Sequence, residues 1–329
     1  MRSIVFYLIF ALAAVLSLAG CSGNTDVTIL RYAHGHDISH PIHEAAEFMA
    51  DKLNEESNGK LKIKIYPNQQ LGSQREALEL LQIGSIDITK TSTAVLENFV
   101  PQIRVFSLPY LFRDISHHHA VLDGKIGQQL LLSPQEYKMR GLTYYDAGFR
   151  SFYTKSKPIN KPNDLKGLKI RVQESVMAIA LVNSLGASAT PIPYGELYSA
   201  LQQGIVDGAE NNPPSFLSSR HYEICKYYSL NEHSAVPDVL LIGTESWGKL
   251  TEQEQQWLQS AVDASTNYQR DLWAKTEKEA LKKVREAGVT INRPDKEPFI
   301  EMTQPIYERL KKDNPDLYSL AEQIRNVKP

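Results

Sequence analysis

The chain has 329 residues, enough for two domains of ordinary size, and 42% of them are apolar while 22% are charged. This composition excludes collagen-like, low-complexity and wholly disordered proteins. The net charge of −2 argues against a nucleic-acid-binding protein, because neutralising phosphates requires a marked excess of Lys and Arg.

The first 21 residues are organised like a bacterial export signal. Arg2 precedes an apolar run over 4–18 that is short for a membrane span, and L-A-G-C ends the segment at Cys21. This tetrapeptide resembles a lipobox, which implies removal of residues 1–20 and lipidation of Cys21; an uncleaved anchor is the alternative. Either way, we expect the globular part outside the cytoplasmic membrane. Cys225 is the one other cysteine, so no internal disulfide can form, and we expect a buried, unreactive thiol.

The rest of the chain alternates strands with helices in two similar halves. The first half predicts a strand over 29–34, a helix over 42–53 that ends by Gly59, a strand over 61–65, a helix over 74–83 and a strand over 86–89. The second half predicts a strand over 168–172, helices over 176–185 and 194–203, and a strand over 205–207. This order is typical of largely parallel sheets with helices on their faces.

Two further patterns concern the architecture. Segments 80–87 and 200–207 each contain a helix end, a glycine and a strand with an aspartate, which suggests two similarly built lobes. Segment 251–287 has no Gly or Pro and carries apolar residues three or four apart. A straight helix of that length extends roughly 55 Å, so we expect it to brace both lobes.

Motifs for chemistry are missing from the sequence. It contains no dinucleotide or phosphate-binding glycine loop, no nucleophile elbow, no H-E-x-x-H and no C-x-x-C. Three successive histidines, His117 to His119, point in different directions on a helix, and we expect a solvated helix start. No Cys or Asp near His40 and His43 completes a zinc set. We therefore predict no metal, no cofactor and no catalytic activity.

Polar residues at predicted strand ends are the candidate binding site, because ligands of open α/β sheets bind there. They are Lys90 and Ser92 after 86–89, Arg150 after 142–148, Arg171 in the strand over 168–172, and Asn211 after 206–209. If Arg150 and Arg171 converge, the ligand is an anion, gripped by charge-assisted hydrogen bonds of about 1.5–3 kcal/mol each. The alternatives are a structural carboxylate beside Arg171 and an exposed loop position for Arg150. Asn211 and Ser92 suit hydroxyl groups, so we expect a small hydroxylated carboxylate.

Four blocks, 71–76, 105–114, 164–172 and 206–212, resemble the solute-binding proteins of tripartite ATP-independent periplasmic (TRAP) transporters, in the family's order. The resemblance implies a periplasmic-binding-protein-like α/β fold with two lobes, a hinge and a long bracing helix. It divides the chain into lobe I (24–148 plus about 236–274) and lobe II (149–235 plus about 275–329). The implied partners are an organic acid in the cleft and integral membrane subunits that couple uptake to an ion gradient.

The resemblance also implies roles for individual residues. Arg171 would fix the ligand carboxylate, with Arg150 and Asn211 as further contacts. Segments 209–216 and 232–238 resemble the branch that binds sugar acids such as hexuronates, and hydroxyl contacts would fall on His36, Gln74, Lys90, Ser92 and Asp238. Gln74 and Lys90 replace an expected Glu and Arg, which leaves an aldonate or a C4-dicarboxylate open. A ligand-sensing extracellular subunit and a secreted sugar-acid enzyme are the alternative functions.

Overall fold

A computed structural model describes residues 27–329. Residues 1–26, with the predicted signal segment and Cys21, lie outside the described residues. The first half contains β1 (Thr28–Ala33), α1 (Pro41–Glu56), β2 (Leu61–Tyr66), α2 (Gln74–Gln82), β3 (Ile88–Ser92), α3 (Thr93–Leu96), α4 (Ile115–Asp123), α5 (Lys125–Leu132) and β4 (Met139–Tyr145). The second half contains β5 (Arg150–Thr154), β6 (Lys169–Val172), α6 (Val176–Ser184), β7 (Ser188–Pro191), α7 (Leu197–Gln202), β8 (Gly208–Asn211), α8 (Pro213–Ser218) and β9 (Tyr227–Ser234). The remainder contains β10 (Asp238–Gly243), α9 (Thr244–Lys249), α10 (Glu252–Glu286), β11 (Thr290–Asn292), α11 (Glu297–Asp313) and α12 (Pro315–Arg325).

The strands form two sheets of related topology, each with helices packed on it, and we call these layers lobe I and lobe II. The first sheet has the order β2-β1-β3-β10-β4, and the second, from its other edge, β7-β6-β8-β5-β9-β11. In each sheet the first three strands are parallel and the next two pairings are antiparallel. The two-lobe α/β prediction is confirmed, and both sheets are largely parallel as predicted. One strand in each, β10 in the first sheet and β5 in the second, runs antiparallel to its neighbours.

The short sequence repeat, segments 80–87 and 200–207, has the same structural role in both lobes. Gly84 and Gly204 follow a helix with left-handed backbone, φ 72° and 74°, which a glycine adopts at no steric cost. Three residues later, the carboxylate of Asp87 accepts a hydrogen bond from the Arg31 backbone N–H, and that of Asp207 accepts one from Lys169, both at 2.8 Å. The aspartate that precedes β3 is therefore bonded to its parallel neighbour β1, and the aspartate that precedes β8 is bonded to its parallel neighbour β6.

The lobes are joined by two neighbouring connections, 146–149 between β4 and β5 and 235–237 between β9 and β10. Helix α10 lies against the first connection, where the Gln269 side-chain amide bonds both the N–H and the C=O of Asp146, at 2.8 and 2.9 Å. A Cβ on Gly148 would lie 2.9 Å from the Trp273 indole nitrogen, so this close approach requires glycine.

The predicted long helix is confirmed as α10, 35 residues capped by Thr251. Near its start, Leu258 and Val262 lie in the core of lobe I, and near its end Val284 lies in the core of lobe II. The helix is thus fixed in both cores. The lobe boundaries stay a prediction; Leu317 and Ile324 of α12 share a core with the first sheet, which favours assigning this last helix to lobe I rather than lobe II.

Several local predictions differ from the structure. The strand predicted over 205–207 begins only at Gly208, and Ile205 is 51% exposed. Instead of starting a solvated helix, His117 and His118 are buried, and His117 contacts the Ile324 carbonyl at 2.9 Å. Cys225 is fully buried, and burial raises its pKa to about 12, so its thiol stays protonated as predicted.

Candidate functional site

The predicted site residues converge where the two sheets face each other. Lobe I contributes the end of β3 and the start of β10, which pair through Ser92 and Asp238. Lobe II contributes the start of β5, the middle of β6 and the end of β8. Lys90, Ser92 and Asn211 lie within strands rather than after them, and all three are buried.

Arg171 is a buried guanidinium with an incomplete set of partners. Its residue is 2% exposed, its Nε donates to the Ile192 carbonyl at 2.8 Å, and its Nη1 is buried without a hydrogen-bond partner. Within the described part of the chain it forms no ion pair, so the structural-carboxylate alternative fails. Burial lowers its pKa and the cation of Arg150 lowers it further, while Tyr153 and Glu210 raise it. Such a group can bind an anion.

Arg150 is held by an internal carboxylate. Its Nε and Nη2 donate to the two carboxylate oxygens of Glu210, at 2.5 and 2.8 Å, and its Nη1 donates to Asn211 Oδ1 at 2.8 Å. Although burial opposes ionisation, Arg150 and His233 lower the pKa of Glu210 to about 2. Arg150 is buried, so the alternative of an exposed loop position fails. It positions Asn211 and its charge is neutralised by Glu210, while its role as a ligand contact stays a prediction.

Lys90 and Asp238 form a second buried ion pair, on lobe I. The Lys90 ammonium donates to Asp238 Oδ2 at 2.8 Å and to His36 Nε2 at 2.7 Å. Burial lowers the pKa of Lys90 and raises that of Asp238, and their mutual attraction opposes both shifts. Because His36 accepts at Nε2, its neutral ring carries the proton on Nδ1, and this atom is buried without a partner.

Histidine rings connect this pair to lobe II. His36 stacks on His40 with centroids 3.9 Å apart and lies 5.5 Å from the Tyr194 ring. His40 Nδ1 accepts from the Ile42 N–H, so its Nε2 donates to Ser215 Oγ of α8 at 3.1 Å. Burial and the Lys90 cation lower the pKa of His40, and burial, His40 and Lys90 lower that of His36, which leaves both rings neutral at pH 7.

Gln74 and Ser92 already have roles in the protein. Gln74 Oε1 accepts from the Thr91 hydroxyl at 3.0 Å and from the Ser92 N–H at 2.7 Å. Ser92 Oγ caps α3 and donates to Gln173 Oε1 of lobe II at 3.4 Å. Gln74 therefore orients the end of β3, and Ser92 reaches across the cleft.

A buried carboxylate also links the lobes beside the site. Glu97, which ends α3 of lobe I, accepts from Ser175 Oγ at 2.9 Å and from the Met177 N–H at 3.2 Å, at the start of α6 in lobe II. Burial raises the pKa of Glu97, against the hydrogen bonds it accepts. A helix N-terminus favours an anion, so these contacts stabilise the closed arrangement.

Gln173, Tyr194 and Glu210 also lie at the site and were not predicted from the sequence. Two small cavities lie at the site, both lined by Gln173, and each holds about 10 Å³, room for roughly one water. A larger solute therefore requires the lobes to separate or these side chains to move. Gln173 was detectable, since it lies two residues beyond Arg171 and strand side chains alternate. Glu210 was visible as an acid in a short apolar strand, but Tyr194 gave no signal.

The described site carries one unbalanced charge. Arg150 is paired with Glu210, and Lys90 with Asp238. His36 and His40 are neutral, so among the predicted ligand contacts Arg171 alone contributes net charge, one positive. Two polar atoms without a partner among the described residues belong to opposite lobes, Nη1 of Arg171 and Nδ1 of His36, and Tyr194 lies near both residues. This arrangement suits a ligand with one negative charge and a hydrogen-bond acceptor.

Comparison with known proteins identifies the family. The model of bacterial extracellular solute-binding protein family 7 (DctP) matches residues 32–313. The chain belongs to this family. A TRAP periplasmic solute-binding protein of Xanthobacter autotrophicus Py2, solved with bound β-D-galacturonate, is 41% identical to this family 7 protein with a TM-score of 0.87, covering 91% of this chain and 100% of that one.

Two further proteins similar to this family 7 protein are described by a ligand, one solved with it bound and one named for it. A TRAP periplasmic solute-binding protein of Chromohalobacter salexigens, solved with bound D-glucuronate, is 34% identical with a TM-score of 0.88 over 91% of this chain and 100% of that chain. The 2,3-diketo-L-gulonate-binding periplasmic protein of Escherichia coli K12 is 31% identical over 88% of each chain. Among residues 27–329, none of the helices combines the length and apolarity that a bilayer span requires.

Proposed function

We propose that this protein captures a hexuronate, such as galacturonate or glucuronate, outside the cytoplasmic membrane and delivers it to the membrane subunits of a TRAP transporter. The observation that carries the proposal is the buried cation of Arg171, whose Nη1 has no partner in the part of the chain that the structure describes. A planar guanidinium binds a carboxylate by two parallel hydrogen bonds. Family membership and the hexuronates bound by similar proteins support this ligand class.

The remaining site residues complete the proposed contacts. The carboxylate lies on Arg171, with the amide of Asn211 beside it, held by Arg150. On lobe I the ring hydroxyls meet His36, Ser92 and the Lys90–Asp238 pair, while Gln74 supports the strand that carries them. The ligand touches both lobes, so it favours the closed form by its differential affinity.

The number of carboxylates distinguishes a hexuronate, which has one, from a C4-dicarboxylate, which has two. The site offers one unpaired positive charge, which a single carboxylate neutralises. The second carboxylate of a dicarboxylate would be buried without a counterion, at a cost of several kcal/mol. We therefore expect C4-dicarboxylates to bind at least roughly 100-fold more weakly, since each 1.4 kcal/mol is tenfold in affinity.

Calorimetry tests this proposal directly. The purified protein should bind one galacturonate or glucuronate per chain, with gluconate, malate and succinate as comparison ligands. Tighter binding of malate or succinate than of either hexuronate would overturn the assignment. Product formation on prolonged incubation with the bound sugar acid would show an enzyme instead.

Cys21 is the proposed membrane attachment. The support for it is the L-A-G-C segment, which lies outside the described residues. Mass spectrometry of the N-terminal peptide from the membrane fraction should show a chain that begins at Cys21 and carries a thioether-linked lipid. A chain that retains residues 1–20, or one that begins at Cys21 without lipid, would exclude lipidation as the attachment.

A further inference from the structure

A cluster of two histidines and an aspartate lies away from the proposed ligand site, at the connection between the lobes. His118 and His119 are on α4, and Asp146 begins the segment 146–149. One ligand atom from each residue lies within 4.8 Å of the other two. His119 Nε2 is 2.8 and 2.9 Å from the two carboxylate oxygens of Asp146.

His118 gives the independent observation. It is 1% exposed, and neither of its ring nitrogens has a hydrogen-bond partner within residues 27–329. A buried polar group without a partner costs about 1–3 kcal/mol, so an imidazole in this position needs an explanation. The Phe112 ring packs against His118 edge to face, with centroids 4.7 Å apart, and supplies no lone pair or carbonyl. A cation would satisfy one of these nitrogens.

We propose that His118, His119 and Asp146 bind a divalent transition-metal ion of the zinc class. Imidazole nitrogen and carboxylate oxygen are ordinary zinc ligands, and ligands about 2.1 Å from a tetrahedral ion are roughly 3.4 Å apart. That spacing falls between the 2.8 Å contact of His119 with Asp146 and the 4.8 Å limit of the cluster. No metal was predicted at the successive histidines because they point in different directions. The third proposed ligand, Asp146, is distant in sequence and gave no local signal.

The surroundings leave a route and a fourth position for the ion. His119 and Asp146 line a groove of about 660 Å³ beside α10, which opens to solvent. Glu277 lines the same groove, and burial and nearby carboxylates, Asp146 among them, raise its pKa. The guanidinium of Arg270 donates two hydrogen bonds to Asp123, at 2.8 and 2.7 Å, which raise the pKa of Arg270, and the Asp146 charge also contributes to this rise. The acidic residues of the groove (Asp114, Asp146, Glu232, Asp271 and Glu277) exceed its arginines and lysine (Arg113, Arg270, Lys278 and Arg293) by one. Water from the groove can complete a three-ligand site.

Zinc binding to the full mature chain, stripped with chelator, tests the site. Calorimetry and thermal unfolding with zinc chloride should show one Zn²⁺ per chain and a rise in Tm. Asp146→Asn, which keeps the shape, and His118→Leu should each weaken binding at least tenfold. His43→Gln is the matched control, since His43 contacts His34 and Glu47 in a separate histidine cluster, and it should bind zinc like the unmodified protein.

Two results would overturn the site: an unmodified protein without a Tm rise in zinc, or Asp146→Asn binding zinc as tightly as the unmodified chain. If His118→Leu does not fold, cobalt substitution of the unmodified protein decides. An intense visible spectrum of tetrahedral Co²⁺ supports the site, and the pale spectrum of the hydrated ion refutes it. Hexuronate binding is measured separately, so the two proposals fail independently.

Discussion

Arg171 and Arg150 offer a paired test, because both are buried but, within residues 27–329, only Arg150 has a carboxylate partner. Arg171→Met should abolish most hexuronate affinity. Two charge-assisted hydrogen bonds of about 1.5–3 kcal/mol each correspond to a loss of roughly 10²- to 10⁴-fold. The ligand-free variant should be at least as stable as the unmodified protein, because methionine removes a buried cation whose Nη1 is unpartnered.

Arg150→Met should behave oppositely in stability. It leaves the buried Glu210 carboxylate without its guanidinium, which costs about 3–5 kcal/mol. At about 2 °C per kcal/mol for a chain of this size, Tm should fall by roughly 6–10 °C. Differential scanning fluorimetry without ligand and calorimetry with galacturonate measure both effects. If Arg171→Met lowers Tm as much as Arg150→Met, or binds galacturonate within fivefold of the unmodified protein, then Arg171 is not the carboxylate site.

Two further predictions concern closure and pH. Glu97→Gln should weaken hexuronate binding about 3- to 10-fold without removing a proposed ligand contact, because a neutral amide stabilises the α6 N-terminus less; unchanged affinity in calorimetry would contradict this role. Burial lowers the pKa of His34 and His221 to about 3, so below pH 6.5 the unfolded chain takes up protons that the folded chain refuses. Stability should fall by about 1.4 kcal/mol per pH unit for each histidine between pH 6.5 and 3. In urea unfolding at pH 7 and 5, His221→Gln should reduce this fall, and an equal fall in that variant would be evidence against the argument.

Local patterns predicted most of the architecture. The absence of Gly and Pro predicted α10 to within a residue at each end, because helix termination depends on nearby residues. The strand at 205–207 was misplaced because Ile205 and Val206 form an apolar pair, although only Val206 is buried. Asp207, whose carboxylate accepts a hydrogen bond from Lys169 of the neighbouring strand, directly precedes β8 and is not its last residue.

The candidate site was predicted less completely, because its electrostatics depend on contacts between distant residues. Arg150 is 60 residues from Glu210, and Lys90 is 148 residues from Asp238, and neither separation has a local signature. Resemblance to a family could nominate Arg150 and Arg171 together, but it could not show which of the two is neutralised. Burial of His117 and His118 was unpredictable for the same reason, since the contacts of this helix come from α12 and from the connection that follows β4.

The attachment of α10 limits how the protein can open. A rod of 35 residues is about 52 Å long, and its two ends are embedded in different hydrophobic interiors. Between these ends, Gln269 hydrogen-bonds the backbone of Asp146 in the connection between the lobes. A wide hinge motion would therefore have to bend α10 or remove one of its ends from its core. The low-energy motion is therefore a modest rotation with slight helix curvature, and the elastic stiffness of α10 sets the amplitude available for admitting a sugar acid.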